Sequence, residues 1–244
     1  MDIVCYGYNH ETASVASREK VSFTDAGLPE ALRQLRLLEG VSEGVILSTC
    51  NRMEIYAVAD EGVSTRILID RMWQWLRNHF ELSEDDLKAF YQWEHQATAR
   101  HLFSVASGLN SMVLGETEIF GQVKKAYANA QSAGTTGKYL NRLFQRSFQV
   151  GKQVRTQTNI TRGSTSVGAV GVELAEKIFG DLKKCKILLI GAGEISRRTA
   201  QSLQSRGASA VIVSNRSYDK AEILAQEIGG RAIRFDAWDR ELAQ

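Results

Sequence analysis

Cys50 stands in the run Ser48-Thr49-Cys50-Asn51-Arg52, between two segments rich in β-forming residues. A thiol at a strand-to-turn junction with polar neighbours is suited to nucleophilic chemistry, because the thiolate is the reactive form. Arg52, two positions on, predicts a lowered thiol pKa and a larger thiolate fraction. Packing in a core is the simple alternative for any cysteine, and it is the reading for Cys5 and Cys185, which fall within or at the edge of expected strands. Three cysteines, far apart and with no CxxC pair, argue against a disulfide framework and a zinc site, so no metal is expected.

A second constellation lies at Gly191-Ala192-Gly193-Glu194-Ile195-Ser196, directly after the apolar run 187–190. Strand, glycine turn and helix in that order form the phosphate-binding turn of a dinucleotide domain, with Ser196 where a third glycine is usual. The turn lets the backbone approach a pyrophosphate, and the helix N-terminus stabilises its charge. The next strand ends in Ser214-Asn215-Arg216-Ser217, which has no carboxylate for ribose hydroxyls but has a guanidinium for a 2′-phosphate. The expected cofactor is therefore NADPH; the plainer readings are a glycine turn that binds nothing and a solvated Arg216. A reactive thiol joined to such a domain fits thioester formation followed by hydride reduction to an aldehyde.

These residues must be held by two kinds of architecture. Alternation at 3–8, helical spacing at 27–38, β-rich runs at 44–49 and 53–58 and an amphipathic stretch at 66–80 predict a βαββα start. Ser83 with Asp86 reads as a capping box opening a further helix. Residues 95–161 read as almost wholly helical, with breaks near Gly108 and at Gly134-Thr135-Thr136-Gly137. Beyond a polar boundary segment at 159–166, helices at 167–179, 194–206 and 218–228 alternate with strands at 186–190, 210–214 and 232–235. The expected class is α/β plus α+β. Residues 1–160 form a βαβ-type catalytic domain with a helical part, and 161–244 form the first half of a Rossmann-like parallel sheet domain.

The 244 residues are 43% hydrophobic and 24% charged, which excludes disordered and low-complexity classes. The first residues lack a basic, cleavable leader, no apolar run spans a bilayer, and a single proline, Pro29, permits long helices. No membrane association is expected; the compartment is the cytoplasm or a plastid stroma. The net charge of +2 is modest, yet 119–172 contains no Asp or Glu and eight cations, including Lys138, Arg142 and Arg146 on one helix face. Such a field suits a phosphate backbone; a solvated basic face is the usual alternative.

The run from Ser48 to Tyr56 closely resembles the signature of the glutamyl-tRNA reductases, as does the run from Arg100 to Glu116 continuing to Gly121-Gln122-Val123-Lys124. Asn9-His10 with Thr12-Ala13, and Arg18-Glu19-Lys20, resemble that family's N-terminal pattern. The resemblance implies reduction of glutamyl-tRNA(Glu) to glutamate-1-semialdehyde with NADPH, the first step of the five-carbon route to tetrapyrroles. Cys50 then matches the nucleophile, and His101 a histidine assigned to proton transfer. Thr49, Asn51, Arg52, Ser111, Glu116, Thr117, Glu118 and Gln122 match positions lining the glutamate pocket, with Arg52 set to pair the γ-carboxylate and acidic groups to face the α-ammonium. Helix N-terminal charge compensation is the simple reading of Glu116 and Glu118. Thr117 and Glu118 depart from the usual proline or serine and glutamine. His10, His79 and His95 read as structural. The resemblance further implies glutamate-1-semialdehyde aminotransferase as a partner and a homodimer for the longer family members. The chain reads as C-terminally shortened, hence as a monomer that acylates Cys50 but reduces the thioester weakly or not at all. Two rival readings are a shikimate-dehydrogenase-like oxidoreductase, which has no need of Cys50, and a tRNA-binding fragment without reductase activity.

Overall fold

The computed structural model describes residues 2–162, 166–208 and 210–242, so Gly163, at the centre of the expected boundary segment, lies outside the described residues. The chain divides into two compact units, Met1–Thr161 and Arg162–Gln244.

The first unit contains β1 (Ile3–Asn9), α1 (Val15–Lys20), α2 (Leu28–Leu37), β2 (Val41–Ser48), β3 (Arg52–Ala59) and α3 (Thr65–Phe80), followed by β4 (Tyr91–Glu94), α4 (His95–Ser107), α5 (Glu118–Ser132) and α6 (Lys138–Gln157). The sheet order is β2-β3-β1-β4, with every neighbouring pair antiparallel. β1 and β2 therefore run the same way with β3 between them, and β3 and β4 with β1 between them. These are two interlocked split βαβ units, the ferredoxin-like arrangement.

The expected βαββα start is thus completed by a strand that sequence reasoning missed. The Asp86 carboxylate does accept from Ser83 N at 2.7 Å and Ser83 Oγ at 2.8 Å. The cap nevertheless opens only one 3-10 turn, Asp86–Ala89, before β4. Phe90 is the reason: it docks on Tyr6, Tyr8 and Trp73, so tertiary packing draws the chain into the sheet.

Both faces of the sheet are covered, which is why every residue of β3 is buried. The contacts of Phe23 with Trp75 and of Phe90 with Trp73 belong to the α2–α3 side. Tyr56 packs edge-on against Phe144 of α6 on the other side, and Phe144 stacks on Tyr127 of α5. A register shift between Val41 and Glu43 in β2 accompanies a second device: the buried Glu43 carboxylate accepts from Tyr139 N at 3.0 Å and Leu140 N at 2.7 Å, at the start of α6. A negative group there satisfies orphan helix donors and opposes the helix dipole.

The second unit contains α7 (Val167–Phe179), β5 (Lys186–Ile190), α8 (Glu194–Ser205), β6 (Ala210–Asn215), α9 (Tyr218–Glu227), β7 (Arg231–Arg234) and α10 (Trp238–Leu242). Its three strands are parallel, in the order β5-β6-β7. That is the mononucleotide-binding half of a doubly wound sheet. Among the described residues no helix is long and apolar enough to cross a membrane.

Candidate active site

The turn between β2 and β3 carries Cys50 at its tip. Thr49 shapes it: its N–H donates to the Arg52 carbonyl at 2.8 Å, and its Oγ1 accepts from Asn51 N at 3.2 Å and Arg52 N at 3.1 Å. Such a hydroxyl-pinned turn fixes the backbone without a regular ladder. Arg18 of α1 ties the tip from outside, donating to the Cys50 carbonyl at 3.0 Å and Asn51 Oδ1 at 2.7 Å. Cys50 is exposed. It borders a depression of about 500 Å³ shared with Val15, Arg18, Phe23, Ser48 and Asn51. Thr49 also borders a smaller hollow of about 170 Å³, where Gln122 and Lys125 of α5 face it.

The expected lowering of the Cys50 thiol by Arg52 is overturned. Partial burial pushes the thiol up; the turn's own backbone N–H and Arg18 pull it down, while Glu116 and Glu118 push it up, and the net direction is upward. Arg52 has no place among these causes because its guanidinium points the other way.

Arg52, Glu54 and Tyr56 alternate along β3, so all three point to one face of the sheet. Glu54 is wholly buried and collects four donors. Arg52 Nη1 lies at 2.7 Å, Tyr91 OH at 2.5 Å and His101 Nε2 at 2.9 Å from Oε1, with Tyr56 OH at 2.6 Å from Oε2. Burial alone would raise the Glu54 carboxyl, but the Arg52 charge and the His101 bond outweigh it and hold it well below the usual carboxylate range. The same carboxylate, after burial itself, pushes the Tyr56 and Tyr91 hydroxyls up. An ionised Glu54 accepts only, so His101 Nε2 carries the hydrogen of that pair.

Arg52 also donates to the Asn110 carbonyl at 2.6 Å and is 2% exposed. The charge of Arg52 is balanced by Glu54 and one N–H is given to the Asn110 carbonyl, so the expected pairing with a substrate carboxylate falls to its remaining N–H groups. His101 is 8% exposed and stacks on Trp93 at 5.6 Å. It borders a separate cavity of about 490 Å³, with Trp93, Gln96, Arg100 and Asn110, rather than the depression that holds Cys50. Cys5, Glu54 and His101 also place possible metal-ligand atoms within 4.8 Å of one another. A cation there would stand against the Arg52 guanidinium that already occupies Glu54 Oε1, so these residues fit a proton network better than a metal.

The segment from Gly108 to Thr117 roofs this network. Gly108 and Gly115 both take positive φ, 80° and 79°, and Gly115 N donates to the Gly108 carbonyl at 2.9 Å. A Cβ on Gly115 would collide with the Ile160 carbonyl, so the loop closes only around glycine. The loop brings Ser111 to the Glu116 carboxyl. Partial burial raises that carboxyl, the nearby Ser111 hydroxyl, whose Oγ makes no hydrogen bond among the described residues, lowers it, and Glu118 raises it, with a net upward shift. Thr117 is the exposed residue capping α5, and its side chain makes no capping bond. Thr49, Cys50, Asn51, Ser111, Glu116 and Glu118 thus share one neighbourhood; Gln122 joins through Thr49, and Arg52 and His101 lie beneath.

Sequence reasoning missed two members. Arg18 enters that reasoning only as part of a pattern, yet it holds the tip and its buried Nε has no partner among the described residues. His10 Nδ1 is likewise buried and unpartnered, and burial, then the Arg52 and Arg18 charges, lower its pKa against the opposing pull of Glu11. The spacing His10 to Arg18, running from the end of β1 into α1, is the signal that could have found them.

In the second unit β5 ends at Ile190 and Gly191 turns with φ 112°. Gly191 N donates to the Ser214 carbonyl of β6 at 2.7 Å, which locks the turn to the neighbouring strand. Gly193 caps α8 with no side-chain cap bond and has open space where a Cβ would stand. Glu194, Ile195 and Ser196 form the first turn, and Ser196 Oγ lies 3.3 Å from the position of a Gly191 Cβ. Arg216 and Ser217 are exposed just past β6, where Asn215 Nδ2 donates to the Ser217 carbonyl at 2.9 Å. Open glycine backbone, unfilled helix-terminal donors and an exposed cation fit a phosphorylated dinucleotide.

Residues 6–158 match the family described as glutamyl-tRNA(Glu) reductase, N-terminal domain, and 173–244 match shikimate / quinate 5-dehydrogenase. A glutamyl-tRNA reductase of Akkermansia muciniphila is 48% identical over 99% of this chain and 70% of its own length. One from Desulforudis audaxviator is 46% identical over 97% of this chain and 52% of its own. The solved glutamyl-tRNA reductase from Methanopyrus kandleri superposes with a TM-score of 0.62 at 38% identity, over 99% of this chain and 56% of that one. The chain thus spans between about half and 70% of the length of these relatives. The likeness to shikimate dehydrogenases is confined to the dinucleotide half, whereas the thiol-bearing unit and the whole-chain relatives agree: the chain belongs to the glutamyl-tRNA reductase family.

Proposed function

We propose that the chain takes the glutamyl group of glutamyl-tRNA(Glu) onto Cys50 and that the thioester is reduced with NADPH to glutamate-1-semialdehyde, opening the five-carbon route to tetrapyrroles. The observation that carries this reading is an exposed thiol at the tip of a braced turn, with two carboxylates from the Ser111–Glu118 region acting on it. In acyl transfer the Cys50 sulfur bonds to the acyl carbon, the carbon–oxygen bond to the ribose breaks, and the leaving oxygen takes a proton. His101 serves that proton through Nδ1, since Nε2 is given to Glu54, and by way of water, since it borders a separate cavity from the Cys50 depression. Glu116 and Glu118 suit an α-ammonium, and Thr49, Asn51, Ser111 and Gln122 supply neutral donors and acceptors around the tip.

The residues fit to hold the cofactor are the Gly191, Ala192 and Gly193 backbone with the first turn of α8, and Asn215, Arg216 and Ser217 beyond β6. When bound, NADPH supplies the hydride that releases the aldehyde. A reactive aldehyde favours direct handover to glutamate-1-semialdehyde aminotransferase. Three free cysteines accord with a reducing compartment, the cytoplasm or a plastid stroma.

The test is mass spectrometry of the chain after exposure to glutamyl-tRNA without NADPH. A glutamyl adduct on Cys50 that is absent from Cys50→Ser is expected. No adduct would return the choice to an oxidoreductase that does not use the thiol, or to a tRNA-binding fragment.

A further inference from the structure

We infer that the outward face of α6 is the surface that grips the tRNA phosphate backbone. This rests on the reading that the substrate is an aminoacyl-tRNA.

The carboxylate-free stretch sorts itself once folded. Lys125 is paired with Asp25 at 2.8 Å, Lys124 lies 4.4 Å over the Phe120 ring, and Arg155 lies 4.7 Å over the same ring while donating to the Glu116 carbonyl at 3.0 Å. Each of those cations has a partner within the chain, Lys124 and Lys125 at its surface. Lys138, Arg142, Arg146 and Lys152 are exposed, and none has a carboxylate partner among the described residues. Arg146 bonds Gln149 at 2.8 Å, and Lys138 lies 5.7 Å over the Tyr139 ring, farther than Lys124 from Phe120.

All four project from one continuous helix with no acidic residue. Lys138, Arg142 and Arg146 follow one another at i, i+4, about 6 Å apart along the axis, and Lys152 ends a stripe about 21 Å long. Like charges at that spacing destabilise a bare helix, a cost that a bound polyanion reverses. Gln145 and Gln149 fill the gaps with neutral donors. No aromatic ring is among these exposed positions, so the face suits backbone phosphates rather than bases. The stripe also has a direction. Its Lys152 end adjoins Arg155, whose bond to Glu116 reaches the Cys50 neighbourhood, and its Lys138 end leads away, as a duplex stem would leave a pocket holding its aminoacylated end.

The experiment uses the full chain with Lys138→Gln, Arg142→Gln, Arg146→Gln and Lys152→Gln, singly and together. Affinity for tRNA(Glu) is measured between 50 and 200 mM salt, and Cys50 acylation is followed by mass spectrometry with glutamyl-tRNA and with a small activated glutamyl ester. Each single change is expected to lower the log–log salt slope by about one. Four together should shrink the affinity lost across that salt range by about a hundredfold, at roughly 0.9 per phosphate contact. Acylation by the small ester should be unchanged. A slope that stays at the wild-type value, while wild type still acquires the adduct from glutamyl-tRNA, overturns the surface assignment alone. An equal fall in Lys125→Gln also overturns it. Absence of the wild-type adduct from glutamyl-tRNA overturns the reading beneath it.

Discussion

His101 Nε2 and Glu54 Oε1 lie 2.9 Å apart, and the same oxygen holds Arg52 Nη1 at 2.7 Å. One buried carboxylate therefore fixes both the histidine that faces one cavity and the arginine at the root of the cysteine turn. Neither side chain can be understood without it.

Glu54→Gln should destabilise the chain by about 3–5 kcal/mol, because Arg52 is left buried without a counter-charge. The pH dependence follows from the sign of the Glu54 shift. A carboxyl held below its ordinary value stabilises the fold fully above the unfolded pKa, about 4.3, and loses that contribution as pH falls towards the depressed folded value. Urea melts at pH 7 and pH 3 should show the gap between wild type and Glu54→Gln narrowing at the lower pH; a constant gap would mean that the Glu54 charge does not stabilise the fold.

The Cys50 thiol lies above its ordinary value, so its alkylation by iodoacetamide should rise about tenfold per pH unit from pH 7 without levelling before pH 9. Removing a negative neighbour works the other way. Glu116→Gln should move the alkylation curve to lower pH, while Arg18→Ala should move it to higher pH. A Glu116→Gln curve displaced upward would contradict the charge arrangement around the tip.

Gly115→Ala should disturb the site more than the fold. The positive φ costs an alanine about 1 kcal/mol, and its Cβ must also displace the Ile160 carbonyl. The roof over Arg52 and the placement of Glu116 shift together. Acylation should fall by at least tenfold while circular dichroism keeps its native shape; full acylation activity would show that the roof tolerates a side chain.

For the second unit, Arg216→Ala should weaken NADPH about tenfold or more and leave NADH nearly untouched, since the 2′-phosphate is the group that a guanidinium at that strand end meets. Fluorescence titration of both cofactors decides it, and an equal loss for both would place Arg216 elsewhere.

Most of the scaffold could be read from residue order. The thiol was marked by polar neighbours on both sides, and the second unit by a glycine turn between a buried strand and a helix; both patterns are local. What escaped reading depends on distant partners. β4 is four residues long with two exposed positions, too little pattern to outvote a capping box. Glu43 sits in a strand and finds its donors on a helix far along the chain. Arg52 misled because charged residues are usually exposed. Its alternation with Glu54 and Tyr56 along a buried strand was the sign that it would pair inward.

Helix α6 meets the rest of the first unit at both extremities, with Glu43 clamping its beginning and Arg155 fastened to the roof segment near its end. Insertion of a single residue between those anchors would rotate one half against the other by about 100°. The outward cations would splay, or Arg155 would lose Glu116. Sequence drift in this helix must therefore proceed by substitution, because insertions and deletions would damage the grip on the carrier and the shape of the reaction chamber at one stroke.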